Sequence, residues 1–374
     1  VSVLRGSPYK IGETPTALKT FLDKEYQVNK PSVELVEFLT RAKLPWMYYD
    51  EAKGKIIMIV DNHLMSTYRA CPQHFIHAHV EGWRMKGINV SGVSRNWFLE
   101  FGIILHKMLE EYYLSFREPN FDAIKFCTER ACAAWHEQEM DVLADHKEYQ
   151  KIGGLHGFVG LLVQYTTLMS AQNEKLRVLG TEIAFGRNLE VPISLGEDRE
   201  YYLAGRMDLI VDDGYFICPM DHKTMGTFRG EPGLKFETEE GPTGYIYALK
   251  TVLPQFISEE QILKRDCTKI LMNLICKEPK ANANERFLRI AIRKTVYQLE
   301  QYQKRMYLTC ESLYRDMESY ALGLPPQRNT QVCQNWMHLQ CPYFNVCRQG
   351  SADGVQATLN NAFVQVKIWN TEEI

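Results

Sequence analysis

No stretch of about 18 consecutive apolar residues occurs in the chain of 374 residues, so no segment reads as a helix that spans a bilayer. The first residues, Val1 to Lys10, lack the apolar core of a secretory signal, and an intracellular location free of membrane contact is expected. A strong charge bias is missing as well: 43 basic against 46 acidic side chains leave a formal -3. Such a chain has no global field to draw in nucleic acid, and any surface of that kind has to be a local groove among acidic faces. Internal repeats, low-complexity tracts and a disordered-tail composition are also absent. What remains, 45% hydrophobic and 24% charged, is ordinary globular composition with enough length for one large core or two modest ones.

Ten cysteines are many for an intracellular protein. In a reducing compartment they are thiols or metal ligands rather than disulfides. Most sit in apolar stretches, as Cys218 in Tyr-Phe-Ile-Cys and Cys276 in Leu-Ile-Cys do, and read as small core residues. Cys71 and the late group Cys333, Cys341 and Cys347 differ.

Residues 1–61 read as an N-terminal extension with a helix from Ser32 to Arg41 and a hairpin of Trp46–Tyr49 with Ile56–Val60. A helical region over 62–175 follows. Its segments are expected at 66–87, 96–116, 121–149 and 154–172, the second with Phe98, Phe101, Leu105, Met108, Leu109 and Tyr112 on one stripe. The segment 176–325 carries the strands: a β region to about residue 223, a Gly-, Thr- and Glu-rich loop over 224–241 that reads as mobile, a helix over 242–253, strands at 269–276 and 286–292, and a helix over 295–321. Residues 326–374 hold the last cysteines and a tail. This order predicts an α/β core, a mixed central sheet flanked by helices, with a helical N-terminal insertion.

The most informative stretch runs from Tyr201 to Lys223. Val, Ile, Tyr and Phe fill two arms around Asp212-Asp213-Gly214, a strong hairpin signal. Residues two apart in a strand share a face, so Asp221 and Lys223 point the same way, one suited to a hard cation and the other to a water or phosphate. A turn centred near Asp213 would place Asp208 opposite about residue 218, offset from Asp221 by roughly three residues or 10 Å. A three-residue turn with a bulge at Gly214 would repair the facing, and Pro219 would add a departure from the ladder. An irregular hairpin that splays at the acids is therefore expected. Taken alone, Asp-x-Lys is a weak signal, since solvated strand ends carry the same residues.

Four segments in order resemble the PD-(D/E)xK nucleases of the RecB-like branch, especially the iron-sulfur exonucleases related to CRISPR-associated and AddB-type proteins and their phage counterparts. They are Gly102 with His106 on a helix, Gly205-Arg206-Met207-Asp208, Asp221-His222-Lys223 and the cysteine set. The resemblance implies a restriction-endonuclease-like core in which His106, Asp208, Asp221 and the backbone carbonyl of His222 bind one or two Mg²⁺ or Mn²⁺ ions while Lys223 serves the attacking water. Phosphodiesters are anionic and poor electrophiles, which is why such chemistry calls on metals. Glu182 stands where relatives often carry an acid on the preceding strand. Relatives also place Gln four residues before a Tyr; here Tyr245 is present but Gly241 holds the Gln position, with Thr243 or Glu240 as substitutes.

Cys71, in a Cys-Pro-x-x-Phe segment similar to the family's, and Cys333, Cys341 and Cys347, about 260 residues later, would clasp the two ends of the chain together. Four thiolates hold either a 4Fe-4S cluster or zinc; the resemblance favours iron-sulfur, with Trp336, Pro342, Tyr343 and Phe344 as shields. Candidate DNA contacts are Arg286, Arg289, Arg293, Lys294, Lys304 and Arg305 with Tyr297, Tyr302 and Tyr307, and nearer the acids Tyr112, Tyr113, Arg117 and His222. The expectation is a metal-dependent DNA exonuclease acting on single-stranded ends, 5′ to 3′ by resemblance, in recombination, repair or phage DNA processing, in the cytoplasm of a bacterial, archaeal or phage-infected cell. The rival is a catalytically weak nuclease fold serving as a DNA-binding subunit beside a helicase or integrase. A helicase or recombination partner and a homo-oligomer are both compatible with the sequence.

Overall fold

The structure, a computed structural model, describes residues 31–85, 88–90, 93–95, 97–228, 231–279, 282–333, 341–366 and 368. The chain groups into two units, each built from separated segments: residues 1–86, 184–205 and 300–374 form one, and residues 87–183 and 206–299 the other.

The second unit is organised by a five-stranded mixed sheet in the order Phe287–Arg293, Lys269–Cys276, Ile217–Met225, Gly205–Asp212, Arg177–Phe185. Lys269–Cys276 runs parallel to Ile217–Met225 and antiparallel to Phe287–Arg293. It is buried along its whole length, because side chains alternate between two covered faces. Leu271 and Ile275 join Leu209, Val211, Cys218 and Met220 against the helices Trp97–Ser115, Ala123–Glu137 and Gly154–Leu168. Ile270, Met272 and Leu274 pack with Phe236, Ile246 and Ile292 on the other face. This is the α/β core with flanking helices that the sequence order implies.

Several boundaries differ from expectation for local reasons. The helix expected over 66–87 is Asn62–Ala70, a break at Cys71, the turns Pro72–Phe75 and Ile76–Val80, and a strand Trp83–Met85. Proline disfavours helical backbone in the residue before it, and Cys71 is extended at φ -162° and ψ 111°. The stretch 121–149 divides into Ala123–Glu137, Met140–Leu143 and the start of Lys147–Ile152, with left-handed Glu139 at φ 47° between the first two. Phe98 is 52% exposed rather than on the buried stripe, which Trp97, Ile104 and Tyr113 join instead. The segment expected as a loop over 224–241 holds the helix Pro232–Thr238, pinned by buried Phe236.

The first unit has a four-stranded sheet in the order Met47–Asp50, Lys55–Val60, Arg199–Leu203, Val191–Leu195. Most of the helix Val296–Ala321 belongs to it, anchored by the Tyr201 hydroxyl donating to Glu311 at 2.6 Å and by Arg199 lying over the Tyr314 ring. Among the described residues no helix is long and apolar enough to cross a membrane.

Candidate active site

The turn of the central hairpin is a four-residue loop, not a three-residue turn with a bulge. The carboxylate of Asp213 accepts the N–H groups of Tyr215 and Phe216 at 3.0 and 2.8 Å, that of Asp212 accepts Gly214 at 2.8 Å, and Gly214 takes φ +90°. Asn and Asp side chains build such turns from their own neighbours' amides. The register then runs Asp212 to Ile217, Val211 to Cys218, Ile210 to Pro219 and Leu209 to Met220. One further step of this register would set Asp208 across from Asp221. The expected three-residue offset is thus absent, and Pro219 stays in register.

The two strands part at the acids, as expected. In place of another ladder pair, the His222 N–H donates to Asp208 Oδ2 at 2.6 Å, while Ile217–Met225 continues along Lys269–Cys276 as far as Met225. Asp208 also faces His106 of the helix Trp97–Ser115, Nδ1 to Oδ2 at 3.4 Å. One donor atom each from His106, Glu182 and Asp208 lie within 4.8 Å of one another, a spacing that can hold a metal ion. Lys223 Nζ reaches both oxygens of Asp221, at 3.0 and 2.8 Å, which confirms that these two side chains share a face.

Glu182 sits in left-handed backbone at φ 47° and is ion-paired with Arg206 Nε at 2.7 Å. Arg206 was not singled out by sequence, although it lies inside the Gly-x-x-Asp segment. A side chain this close to a candidate ligand sets that ligand's charge and direction.

The electrostatics are those of a crowded acidic site. Burial and the neighbouring Asp208 charge push the Asp221 carboxyl up to about 6, with Lys223 opposing. Burial also works against the charge of Asp208, yet the hydrogen bond and charge of His106, with His222 and Lys223, hold its carboxyl well below the usual range. Burial would lower His106, but Asp208 prevails and raises it. Lys223 is raised as well, because Asp221 and Asp208 outweigh its burial. Burial lifts Glu182, against Arg206.

The His222 ring lies edge-on to that of His106, centroids 6.0 Å apart. Its Nδ1 lies 2.8 Å from the Asn273 amide and its ring stacks on Tyr113 at 5.6 Å, and burial drives it down to about 3. Its main-chain N–H is the group bonded to Asp208. Asn273, fully buried, also donates to the Tyr165 hydroxyl at 2.8 Å. A lone Asn in the apolar run Lys-Ile-Leu-Met-Asn-Leu-Ile-Cys was a readable sign of such a network, since a buried amide requires partners.

The expected DNA-facing residues divide between internal and exposed positions. Arg286 is 5% exposed and donates to the carbonyls of Cys276 and Lys277 and to Gln164. Arg289 bonds Tyr113, Asn173 and Asn273. Lys294 donates to the Glu237 carbonyl, and Tyr302 is buried with its hydroxyl on Asn62. Tyr112 and Tyr113 are core residues, and Arg117 bonds the carbonyls of Glu174 and Leu176. Arg117, Arg293, Tyr297 and Arg305 are exposed. Tyr245 is half-buried against the Phe236 cluster, and a Cβ at Gly241 would meet nothing within 4 Å.

Cys71, Cys333, Cys341 and Cys347 line one cavity of about 240 Å³ together with His74, Tyr343 and Phe344. The Cys341 N–H donates to the Cys333 carbonyl at 2.9 Å, and His74 Nδ1 lies 4.0 Å from Cys341 Sγ. Burial and the neighbouring thiols push Cys341 and Cys347 up. Pro342 is exposed rather than shielding, and Trp336 lies outside the described residues. Cys218 and Cys276 are fully buried core thiols, as expected.

No curated protein shows significant similarity to the chain. Among solved structures, one titled "Crystal structure of SSO0001" is 16% identical over 56% of this chain and 85% of its own, with a TM-score of 0.25, a likeness that adds nothing to the fold described above. The family model of the PD-(D/E)XK nuclease superfamily, whose members typically use divalent metal, matches residues 64–348, and the chain belongs to that superfamily.

Proposed function

We propose that the chain is a metal-dependent DNA exonuclease of the RecB-like, iron-sulfur-bearing branch, acting on single-stranded ends with 5′ to 3′ polarity in recombination, repair or phage DNA processing. The observation that carries the hydrolytic part is the convergence of His106, Glu182 and Asp208 donor atoms within 4.8 Å, next to the Asp221–Lys223 pair. His106, Asp208, Asp221 and the His222 carbonyl are the proposed holders of one or two Mg²⁺ or Mn²⁺ ions, with Glu182 as an added ligand. A bound divalent ion would neutralise phosphate charge, lower the pKa of water and stabilise the leaving oxygen. Lys223, held against Asp221, would orient the attacking water or help to deprotonate it. The His222 N–H fixes Asp208, and Arg206 aligns Glu182.

Cys71, Cys333, Cys341 and Cys347 are the proposed ligands of a 4Fe-4S cluster in preference to zinc. Their cavity of about 240 Å³ has room for a multi-atom group, against the ~10–15 Å³ that one water needs. The cluster's contribution is structural: it joins segments remote in sequence.

End-labelled linear DNA and closed circular DNA, each with Mg²⁺ or Mn²⁺, test the reading. Linear single strands degraded while circles stay intact is the expected result; circles cut as fast as linear molecules contradict the exonuclease mode. The second reading, a DNA-binding subunit that cuts poorly and works beside a helicase, draws on Gly241 in the Gln position. Tight binding without cleavage by the isolated protein would favour it.

The pH dependence follows from the site. Asp221 binds metal ionised and its carboxyl is pushed up to about 6, while His106, also raised, ligates only when neutral. Both changes act in one direction, so Mn²⁺ affinity is expected to fall as pH drops through about 6. Calorimetric titration between pH 5 and 8 measures this. An affinity flat across that window would remove Asp221 and His106 from the ligand set.

A further inference from the structure

The unit that carries the cysteines has a groove of about 600 Å³ whose lining includes Tyr68, Arg69, Ser312, Arg315, Asp316 and Arg328. Two regions far apart in sequence bring the arginines together: the end of the helix Asn62–Ala70, and the helix Val296–Ala321 with the irregular segment that follows it. All three arginines are exposed. Among the described lining residues the one carboxylate is Asp316, which accepts the Tyr68 hydroxyl at 2.7 Å.

The wall that bears Arg328 is held in place rather than loose. Gln73 N–H donates to the Gln327 carbonyl at 3.1 Å, the Asn329 amide to the Ala70 carbonyl at 3.0 Å, and Arg328 Nη1 to the Cys347 carbonyl at 2.9 Å. A guanidinium has five N–H donors in a fixed fork, so one bond to a carbonyl leaves Arg328 able to serve an anion. Among the described lining residues the one aromatic ring, Tyr68, is 6% exposed and offers no face for base stacking. Clustered guanidinium groups without a stacking platform suit phosphate oxygens rather than bases.

We propose that this groove grips the phosphodiester backbone of a single nucleic-acid strand without reading its sequence. The identity of the polyanion rests on the nuclease reading above. Neither the acids of the candidate active site nor the basic residues first expected to meet DNA take part in it.

The test is fluorescence anisotropy of a labelled oligothymidylate on the full chain, in EDTA so that no cleavage occurs, across a salt series. With a strand of about 20 nucleotides, Arg69→Ala and Arg315→Ala are each expected to weaken binding severalfold and to cut the slope of log K against log salt by about 0.7. Arg69→Lys and Arg315→Lys keep the charge and are expected to keep the slope, which separates lost phosphate contact from misfolding. Inorganic phosphate at matched ionic strength is expected to displace the strand no better than chloride does. Full displacement by phosphate would make the groove a small-anion site and overturn the proposal. Affinity and slope unchanged in the double alanine variant, in protein that still cuts DNA with Mg²⁺, would overturn the groove and leave the nuclease standing. Charge-dependent binding by a protein that never cuts would do the reverse.

Discussion

Alanine at Asp221, and separately at Lys223, is expected to lower DNA cleavage by at least about 100-fold, the scale on which single electrostatic groups act in such sites, with the fold intact. The two losses have different origins. Asp221 is 2% exposed and holds the Lys223 ammonium through both oxygens, so Asp221→Ala removes a proposed metal ligand and also releases the lysine. Lys223→Ala leaves the ligand but takes away the charge that opposes the upward shift of Asp221. That carboxyl would then bind a proton more readily, and the variant is expected to regain part of its activity at higher pH, whereas Asp221→Ala regains none. Rates on end-labelled single-stranded DNA from pH 6 to 9 separate the two. Variants that degrade DNA as fast as the wild type would show that the hairpin is not the site.

Serine at Cys71 is expected to cost more in stability than any surface change. The thiols at 71 and 333–347 lie about 260 residues apart, and a group bound by all of them, if it acted as a covalent cross-link does, would constrain the unfolded chain by about 5 kcal/mol. Domains keep only about 5–15 kcal/mol in total, so the variant loses a large part of its margin. Cys341→Ser and Cys347→Ser are expected to behave alike, and Cys132→Ser, on the helix Ala123–Glu137, to change little. Anaerobic purification, a visible spectrum and thermal unfolding measure this together. Wild-type protein is expected to be brown, with absorbance near about 400 nm that a d¹⁰ ion cannot give. Colourless protein with stoichiometric zinc would replace the cluster by zinc, and a Cys71→Ser variant as stable as the wild type would remove the clasp.

The sequence disclosed the strands and the pairing of Asp221 with Lys223, because β-branched arms and an Asp-Gly tip act locally. It did not disclose the register. That depended on side-chain bonds from Asp212 and Asp213 that centre a four-residue loop past Gly214 instead of at Asp213, and register decides which acids face each other. The break at Cys71 was legible in principle from Pro72, whose effect on the preceding residue is steric and local. Arg286, Arg289 and Lys294 misled for the opposite reason. Their partners, among them Gln164, Asn173 and Glu237, are distant in sequence, so nothing nearby marks these cations as internal. Glu182 could be placed on its strand, but its approach to His106 and Asp208 needs the left-handed backbone at φ 47°, which is rare for a residue with a Cβ.

The central claim is that His106, Glu182, Asp208 and Asp221 hold a divalent ion. Titrating Mn²⁺ into the protein while following its electron paramagnetic resonance signal tests this without any need for cleavage. Saturable binding by the wild type that is lost in Asp208→Ala and weakened at least about tenfold in His106→Ala is the predicted result. Equal Mn²⁺ binding by all three proteins would contradict it.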